Sequence, residues 1–435
     1  MSHPASVTPP GLHCIYSELR RIYPNQHNPL QVTALVKYWL NGPDPLDYVS
    51  MFANDGDPRK GIPPHWHYIS CGLSDLHGDG RVHSVTRDDG PSGYGFELTF
   101  RLRRAPDEHV PPTWPAELMQ NLAKYVFQSD AVLCGGDHVS WHVPLDLQNS
   151  FIQQMLITED PQLSQTITPF GFVNFVQIVG VCTEELQAAQ QWNGPAVLNL
   201  LRQIPVAGGQ WLVTDVKRSK SIFQMNTNFR ELVEIGIDQD GSNLSGVSAK
   251  CWWGECSKET IRSSASKAIN CHSDPSSSSL SVRIRSSLAN YRSEVAEHED
   301  MNSASRMSNY SSVSDLLRAR PIVEGLQLRF NLEAAAMLPL AIRGRLAHGR
   351  HFTFKSASSD SAITFVSTDI TGTSVDEKYP YAALRSWLQV LIPDDFLETL
   401  AHDFDDLQQP DEVALPRFYV WPQKNLMITI VDNAS

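Results

Sequence analysis

Two histidines flank a tryptophan in His65-Trp66-His67, and His77 and His83 follow close behind. Because side chains alternate between the two faces of a strand, a strand here would put the imidazoles of His65 and His67 on one face. A catalytic zinc ion needs three protein ligands and one open position, so these histidines could serve a metal-dependent hydrolase. Their spacing fits no known metal motif, however, and no general base stands at a recognisable offset. We favour the alternative that they pack beside aromatic side chains at a sheet edge.

The run Asp75-Leu76-His77-Gly78-Asp79-Gly80 resembles the start of a calcium-binding loop. In such loops the third position is Asp or Asn and the twelfth is a bidentate Glu, whereas this sequence has His77 and Thr86 there. A tight glycine-rich turn is the better interpretation.

The chain has seven cysteines, an odd number at irregular spacing, which argues against a disulfide framework and for a reducing compartment. Cys251, Cys256, Cys271 and His272 could together bind zinc, but their spacing is not that of a zinc ribbon or a zinc finger. We therefore expect no metal and no other cofactor.

Motifs of the common enzyme classes are missing from the sequence. It has no Walker loop and no Gly-x-Ser-x-Gly elbow, and Gly93-Tyr94-Gly95 lacks the third glycine of a dinucleotide fingerprint. Catalytic groups can be assembled in space from distant positions, but no pattern gives a positive reason to propose an enzyme.

Apolar periodicity predicts a first folded body over residues 11–256 that contains both helices and strands. The predicted helices are 12–22, a second one opened by Pro29 with the stripe Val32, Leu35, Val36, Trp39 and Leu40, a third opened by Pro115, and a fourth after Asn193-Gly194-Pro195. The predicted strands are 96–102, with one dry and one wet face, the central strand 173–182, and 211–216.

A second body is predicted over residues 321–432. Its strands are 326–330, 352–354, 363–366 and 426–430, while 386–392 could be a strand or the end of a helix, and Pro393 opens a helix. Helices and strands mixed in this way place both bodies in the α/β class, with mixed sheets.

A serine-rich segment, residues 257–320, separates the two bodies, and 19 of its 64 residues are serine. Such a segment cannot bury enough apolar surface to offset the entropy of ordering it, so it should be a disordered, flexible tether. Residues 1–10 should be disordered as well. Serines near Arg283, Arg285, Arg306 and Arg318 could accept regulatory phosphate groups.

A formal net charge of −13 argues against nucleic acid as the primary ligand, because a phosphate backbone favours a basic protein surface. No apolar run reaches the roughly 20 residues that span a bilayer, so we expect no membrane contact. Residues 1–10 lack the charged and then apolar pattern of a signal peptide. The sequence thus predicts a protein of the cytoplasm and the nucleus.

Six long strings with rare residues resemble the Suppressor of fused family. They are 29–51 (PLQVTALVKYWLNGPDPLDYVSM), 63–83 (PPHWHYISCGLSDLHGDGRVH), 112–128 (PTWPAELMQNLAKYVFQ), 170–193 (FGFVNFVQIVGVCTEELQAAQQWN), 241–250 (GSNLSGVSAK) and 343–355 (RGRLAHGRHFTFK). The resemblance covers nearly all of both bodies. It fails only in the serine-rich segment and at the N-terminus, which lacks the Pro-rich leader of vertebrate members.

The resemblance implies a negative regulator of Hedgehog signalling that binds Gli/Ci zinc-finger transcription factors, holds them in the cytoplasm and restrains them in the nucleus. It also implies two α/β domains with a disordered insertion in the second. The transcription factor would offer a Ser-Tyr-Gly-His-Leu segment as an added strand between the two domains, which close on it. The Fused kinase and a kinesin-like scaffold are further partners that the resemblance suggests, and we expect a monomer.

The same resemblance implies the residues that bind this segment. Tyr125, Asp137 and Glu159 match the acidic and phenolic groups that meet its histidine. An imidazolium beside two carboxylates is a charge-assisted contact. Taken singly, each of the three could instead be a solvated surface group.

Apolar contacts are implied at Val247, Ala249 and Met337, which would form a dry slot for the leucine of the segment. Trp39 and Leu40 match a family surface that contacts the transcription factor. An ordinary buried strand is the alternative for Val247, and the core of a helix is the alternative for Leu40.

Two other functions compete with this one. A metal-dependent hydrolase would use His65, His67, His77 and His83. An immunity-type protein that blocks a toxin is suggested by bacterial relatives of the first domain, but those forms need only one domain.

Overall fold

The computed structural model describes residues 8–84, 89–271 and 323–433, and it divides the chain into two units between Asn243 and Leu244. Both units combine helices with mixed sheets, which confirms the predicted fold class and the presence of two domains. Residues 1–7, most of the predicted disordered N-terminus, lie outside the described residues.

The first unit contains six helices and eight strands among the described residues. The helices are α1 (Pro10–Ile22), α2 (Trp114–Ser129), α3 (Thr183–Gln191), α4 (Gly194–Arg202), α5 (Ile222–Met225) and α6 (Asn228–Asp240). The strands are β1 (Leu30–Thr33), β2 (Tyr48–Asn54), β3 (His65–Cys71), β4 (Pro91–Arg103), β5 (His138–Val139), β6 (Gln154–Glu159), β7 (Thr166–Thr168) and β8 (Gly171–Val181).

The eight strands form one sheet in the order β1-β2-β3-β4-β8-β6-β5, with β7 paired to β8. Helix α2 packs on one face and α1 on the other, so the central strands are buried on both sides. This explains why β8 is a nearly continuous apolar run, since a two-sided strand has no face for water. Its central position confirms the prediction for residues 173–182.

Local sequence signals account for the helices that were predicted correctly. Helix α1 begins at a proline, buries Leu12, Ile15 and Leu19 on one face, and ends one residue before Tyr23. Helix α4 is capped by Asn193, whose side chain accepts a hydrogen bond from the Ala196 amide.

The helix predicted after Pro29 is wrong. Residues 30–33 are strand β1, which pairs with β2, and a short 3-10 helix follows at Tyr38–Leu40. Leu35 is 99% exposed, and most of the apolar residues of the predicted stripe are exposed too. Apolar spacing stabilises a helix only when its stripe meets a core, and this stretch forms a sheet edge and an exposed loop.

The strand predicted over residues 211–216 is also wrong. A 3-10 helix ends at Trp211, Leu212 adopts a left-handed conformation (φ 51°), and only Thr214 makes a bridge, to Leu102. A left-handed residue interrupts an extended chain, so pairing stays limited to one position.

Strand β4 has no solvent-exposed face over residues 96–102, contrary to the prediction of one buried and one solvated face. Its apolar residues pack against α2, and the alternating residues Glu97, Thr99 and Arg101 are completely buried on the other side. These polar side chains make hydrogen bonds inside the protein instead of reaching water: Glu97 accepts from Ser74, and both Thr99 and Arg101 donate to Asp160.

The second unit is built on two sheets. Its helices are α7 (Lys258–Cys271), α8 (Leu332–Ala335), α9 (Leu338–Leu340) and α10 (Asp394–Asp403). Its strands are β9 (Gly246–Ala249), β10 (Cys251–Glu255), β11 (Leu326–Asn331), β12 (Phe352–Ser356), β13 (Ala362–Val366), β14 (Tyr381–Leu384), β15 (Trp387–Leu391), β16 (Arg417–Trp421) and β17 (Leu426–Val431).

The strand orders are β10-β11-β17-β16 in the four-stranded sheet and β14-β15-β13-β12-β9 in the five-stranded one. Both sheets contribute to a shared core in which Phe330 and Phe354 rings lie 4.8 Å apart. All the strand predictions for this unit are confirmed, and residues 386–392 are a strand rather than the end of a helix. The helix opened by Pro393 is confirmed as α10.

The predicted boundary after residue 256 is wrong, because two strands that precede it belong to the second unit. β9 pairs in parallel with β12, and β10 pairs antiparallel with β11. The boundary therefore lies just before β9, at Asn243 and Leu244.

The serine-rich segment is consequently not the connection between the two units. It leaves the second unit after β10 and returns to it at β11, the strand with which β10 pairs. Its first part, residues 258–271, is helix α7, whose Ile261 is fully buried against Gly325. The disorder predicted for the rest of the segment, 272–320, concerns residues outside those described.

In the described part of the chain, no helix is both long and apolar enough to cross a membrane. Cys14, Cys71, Cys134, Cys182, Cys251 and Cys256 are free thiols.

This topology makes a prediction about the serine-rich segment. Replacing residues 272–322 by a flexible linker of about twelve residues should leave both units folded and should raise the free energy of unfolding of the second unit by about 1 kcal/mol, since a shorter loop costs less closure entropy. Urea unfolding followed by circular dichroism measures this. Loss of folded protein would show that the second unit depends on the replaced residues.

Candidate partner-binding site

Asp137 closes a tight turn at the start of β5. Its carboxylate accepts a hydrogen bond from the Cys134 amide (2.7 Å), and its own amide donates to the Cys134 carbonyl (3.1 Å). The residue is half-buried, so its side chain is only partly accessible to solvent. One oxygen holds the turn, while the carboxylate keeps further capacity to accept hydrogen bonds.

Two glycines allow this turn to sit against the first turn of α4. Gly136 has φ +99°, and a Cβ on Gly194 would lie 2.2 Å from the Gly136 carbonyl oxygen. Neither position tolerates a side chain without movement of the backbone. The loop that carries Asp137 is thus fixed by close backbone packing.

Glu159 lies beside the same turn. It is the last residue of β6 and is exposed. A Cβ placed on Gly135 would lie only 3.8 Å from the Glu159 Cγ, so the two residues are neighbours in space. The Ile157 amide donates to the Asp137 carbonyl (2.8 Å), so the two carboxylates stand on neighbouring chain segments. The structure brings Asp137 and Glu159 together at the β5 edge of the first sheet.

That edge is open in the described part of the chain, where β6 is the one strand that pairs with β5. Because the Asp137 carbonyl points to β6, strand alternation turns the backbone groups of His138 to the other side. An edge with unpaired backbone groups is a template for another strand.

Tyr125 lies on α2 and is exposed, with no hydrogen bond to Asp137 or Glu159 among the described residues. Its helix contacts the loop between β1 and β2, since Lys124 pairs with Asp44 (2.9 Å) and the Phe127 ring packs on Tyr38 (4.8 Å).

Trp39 and Leu40 lie in that same loop, and both are exposed. The alternative that Leu40 belongs to a helix core is therefore excluded. Arg81 stacks over the Trp39 ring at 4.7 Å, and Leu35 and Val36 extend the exposed apolar surface. Several large exposed apolar side chains within one short loop are typical of protein interfaces.

Val247 and Ala249 lie on β9, which is an edge strand of the five-stranded sheet. Ala249 is buried and Val247 packs partly on the core of the second unit. The carbonyls of Ser245 and Ala249 accept hydrogen bonds from the amides of Thr353, in β12, and Ala357, just after it. Those of Gly246 and Ser248 therefore turn towards the open edge. This is a second edge ready to accept a strand.

Met337 immediately precedes α9 and is half-buried on the same core as Ala249. Helix α8, just before it, packs against β9. The three residues predicted for an apolar slot thus share one core, while Asp137 and Glu159 share the edge of the first sheet.

His65 and His67 lie in the middle of the first sheet, not at its edge, and they belong to a buried polar network. Arg101 is at the centre of this network. It donates from Nε to Gln177 (3.0 Å), from Nη1 to His65 Nε2 (2.9 Å) and Gln162 (3.0 Å), and from Nη2 to both oxygens of Asp160 (2.9 and 3.0 Å). All five guanidinium N–H groups are used.

The hydrogen bonds define the state of both imidazoles. His67 Nε2 donates to Asp160 (3.1 Å), and its Nδ1 accepts from the Tyr23 hydroxyl (2.8 Å), which in turn accepts from Asn54. Since guanidinium can only donate, His65 Nε2 accepts from Arg101 and its Nδ1 donates to the Pro63 carbonyl. Each ring therefore has one proton and is neutral.

The charges agree with this assignment. Burial and the neighbouring Arg101 charge lower the pKa of His65 to about 3 and that of His67 to about 4. Burial alone would raise the pKa of Asp160, but Arg101 and His67 hold it well below its usual range. The ring nitrogens are thus occupied as hydrogen-bond partners, which leaves neither histidine free to bind zinc.

The other chemical candidates are structural. Asp75 accepts hydrogen bonds from the amides of His77 and Gly78, which makes the tight turn that the sequence favours over a calcium loop, although Thr86 lies outside the described residues. Among described residues, no group of three or more His, Cys, Asp and Glu side chains is arranged for a metal. His272, of the possible zinc set, is not described.

Comparison with known proteins gives the family. Residues 42–219 match the family model described as Suppressor of fused protein (SUFU), and residues 231–430 match the model described as Suppressor of Fused Gli/Ci N terminal binding domain. The chain belongs to the Suppressor of fused family. Members are regulatory binding proteins of the Hedgehog pathway.

Relatives support this along the whole chain. Suppressor of fused homologs of Homo sapiens and Mus musculus are each 52% identical over 97% of this chain and 92% of their own length. The crystal structure of Drosophila Suppressor of Fused is similar with a TM-score of 0.73 and 37% identity, covering 99% of this chain and 100% of that one. A structure described as the Sufu-Fu complex gives a TM-score of 0.50 at 48% identity, covering 53% of this chain and 97% of that chain.

The buried network is the feature that sequence reasoning missed. Arg101 and Thr99 follow the alternation of an amphipathic strand, which normally indicates a solvated face. The sequence held one indication of a buried polar face. His65 and His67 alternate with the same period in β3, the strand that pairs with β4.

The network predicts acid sensitivity of the first unit. Unfolded histidine gains a proton below its ordinary pKa of about 6.5, whereas folded His65 and His67 stay neutral until about 3 and 4, so stability is complete above about pH 6.5 and is lost as the pH falls. The free energy of unfolding should fall by up to about 2.7 kcal/mol per pH unit between about pH 6 and 4, where two protons separate the states.

Urea unfolding at a series of pH values measures the slope. His67→Gln should remove about half of it, and His27→Gln, at an exposed histidine, should leave it unchanged. If the free energy of unfolding fell with pH at the same slope in His67→Gln as in the unsubstituted protein, the claim that buried His67 is neutral in the folded state would be contradicted.

Proposed function

We propose that this protein is a non-catalytic binding protein that captures Gli/Ci transcription factors, represses them and thereby negatively regulates Hedgehog signalling. The observation that carries this proposal is the position of the expected binding residues. Asp137 and Glu159 flank the open edge of the first sheet, and Val247 and Ala249 lie on the open edge strand β9 of the second unit.

The partner segment binds as an added strand. Main-chain hydrogen bonds to an open edge supply affinity that is independent of sequence, and pockets for alternate side chains supply specificity. Strand β5 has only two residues and β9 only four, so each edge is too short to pair extensively with a second copy of the chain.

The carboxylates of Asp137 and Glu159 select a cationic side chain, which in the Ser-Tyr-Gly-His-Leu segment is the histidine. Charge-assisted hydrogen bonds are about twice as strong as neutral ones. Exposed Glu159 gives up less hydration than a buried group would, and Asp137 is already held in place by the Cys134 amide.

The apolar part of the segment is bound by Val247, Ala249 and Met337, whose shared core supports a dry contact for its leucine. The exposed loop with Trp39 and Leu40 provides a further apolar contact for the same transcription factor. Both half-sites stand on one chain, joined at Asn243 and Leu244, so binding to one raises the effective concentration at the other.

The protein acts as a monomer in the cytoplasm and the nucleus, and it binds proteins rather than nucleic acid, in keeping with its net charge of −13. A Fused-type protein is a second partner, because one structural relative is described as the Sufu-Fu complex. A kinesin-like scaffold is a third.

The test is titration of a fluorescent Ser-Tyr-Gly-His-Leu peptide. Glu159→Gln removes one charge from an exposed side chain and should weaken binding roughly tenfold, and Asp137→Arg should abolish it, because loss of a charged hydrogen-bond partner costs about 1.5–3 kcal/mol and charge reversal adds repulsion.

Glu231→Arg, at an exposed acidic residue of α6, is the matched control and should bind like the unsubstituted protein. Circular dichroism confirms that each variant is folded. Equal affinity of Glu159→Gln and the control would contradict the assigned site, and no binding by the folded unsubstituted protein would contradict the proposed function.

A further inference from the structure

A groove on the first unit is lined mainly by proline rings. It encloses about 240 Å³ at the place where the segment between β2 and β3 meets the segment after α4. Its apolar lining, here called the proline groove, consists of Pro58, Ile62, Pro63, Pro64, Pro205 and Val206. Val206 is 53% exposed and three of the prolines are exposed too, so the groove is accessible from solvent.

Backbone contacts hold the proline groove in shape. Asp57 and Ile62 exchange two backbone hydrogen bonds (both 2.9 Å) around the 3-10 turn Pro58–Lys60. Gly61 ends that turn with φ +68°, and a Cβ on Gly209 would lie 3.2 Å from its carbonyl oxygen, so the two segments are in close contact. A surface that is already ordered loses little entropy when a ligand binds to it.

The backbone of the groove is poorly suited to strand addition. Proline has no N–H group to donate to a partner strand. Three of the proline carbonyls already accept hydrogen bonds inside the protein: Pro58 from the Gly61 amide (3.3 Å), Pro63 from His65 Nδ1 (2.8 Å) and Pro64 from the Arg104 amide (3.0 Å). A ligand is therefore recognised here by its side chains, unlike a strand added to β5 or β9.

Cations border the proline groove, although the chain as a whole has a net charge of −13. Arg103 lies in the lining, donates one hydrogen bond to Asp215 (3.1 Å) and keeps 42% of its side chain exposed. Arg59 and Lys60 are exposed in the 3-10 turn. Arg59 has no ion pair with a described residue, and Lys60 approaches Asp57 only to 4.0 Å. Accessible positive charge thus stands beside an apolar surface.

These groups define the chemistry of a ligand. A guanidinium binds a carboxylate through paired N–H groups and also stacks on aromatic rings. Proline and valine provide an apolar surface on which such a ring loses its contact with water. In an extended peptide every second side chain lies on the same side, roughly 6.8 Å further along, within reach of a long arginine or lysine side chain. An aromatic residue with acidic residues two positions away fits this surface in shape and in charge.

We propose that the proline groove is a docking site for a segment of another protein with the pattern acidic-x-aromatic-x-acidic. The aromatic ring packs on the prolines and on Val206, and the carboxylates bind Arg103 and Arg59. This site uses none of the strands β5, β6 or β9 and is independent of the proposed function.

The probe is a labelled, end-blocked Glu-Ser-Trp-Ser-Glu peptide, titrated against the full chain and followed by fluorescence polarisation. Its Gln-Ser-Trp-Ser-Gln counterpart should bind roughly tenfold more weakly, because the charge-assisted hydrogen bonds are lost. Glu-Ser-Ser-Ser-Glu should be weaker by roughly the same factor, because no ring is buried in the groove.

Two substitutions at exposed positions separate the charge from the apolar contact. Arg103→Gln should weaken binding of the Glu peptide roughly tenfold and change binding of the Gln peptide much less, since the arginine acts on the carboxylate. Val206→Asp should weaken binding of both peptides, because it places a charge where the ring packs. Circular dichroism confirms that both variants are folded.

Arg385→Gln is the matched control, since Arg385 is an exposed cation of the second unit that stands between the exposed Leu384 and Trp387. It should leave the affinity for the probe unchanged, and so should Asp137→Arg at the proposed transcription-factor site.

The proposal would be overturned by equal binding of the Glu and Gln peptides, by unchanged affinity in Arg103→Gln or Val206→Asp, or by no binding to the folded unsubstituted protein. Binding that appeared only after deletion of residues 272–322 would overturn it too, because the occupant would then be a segment of this chain.

Discussion

The first unit depends on a guanidinium and a carboxylate that are both completely buried. Arg101 and Asp160 lie in the middle of a sheet that is covered on both faces, where separating the charges or removing one of them would cost about 3–5 kcal/mol. Such a pair is stable only because its remaining hydrogen-bonding groups are satisfied. Gln177, His65, His67 and Thr99 satisfy them, and these side chains come from strands β8, β3 and β4.

This network also fixes the region in which we place partner binding. Asp160 directly follows Glu159, and its carboxylate accepts hydrogen bonds from the amides of Gln162 and Leu163, which turn the chain away at the end of β6. The exposed carboxylate of Glu159 is thus attached to one of the most constrained points of the sheet. A binding edge that is already ordered loses less entropy when a partner strand pairs with it.

Sequence reasoning predicted correctly those helices and strands whose apolar pattern fits only one type of secondary structure. Helix α1, strand β8 and most strands of the second unit combine strong periodicity with clear ends, so local signals and packing agree. It was wrong where the tertiary context decides. The apolar spacing of residues 32–40 suits a helix, but β2 offers a pairing partner and no core lies over Leu35. Alternation in β4 suggested a wet face because sequence does not show that Asp160, almost sixty residues later, accepts from Arg101.

The candidate site was predictable only in part. Resemblance supplied Asp137, Glu159, Val247 and Ala249, and the structure adds that these residues stand at two open sheet edges. Residue patterns could not supply this, because an edge is defined by which strands are absent beside it. The role of the serine-rich segment was equally hidden, since the pairing of β10 with β11 across that segment is a long-range contact.

Hydrogen exchange with mass spectrometry, on the full chain with and without the Ser-Tyr-Gly-His-Leu peptide, tests strand addition most directly. The account predicts slower amide exchange at His138–Val139 and at Gly246–Ala249 when peptide is bound, and unchanged exchange at Leu30–Thr33, the other open edge of the first sheet. Saturating peptide that left exchange at both β5 and β9 unchanged would contradict it.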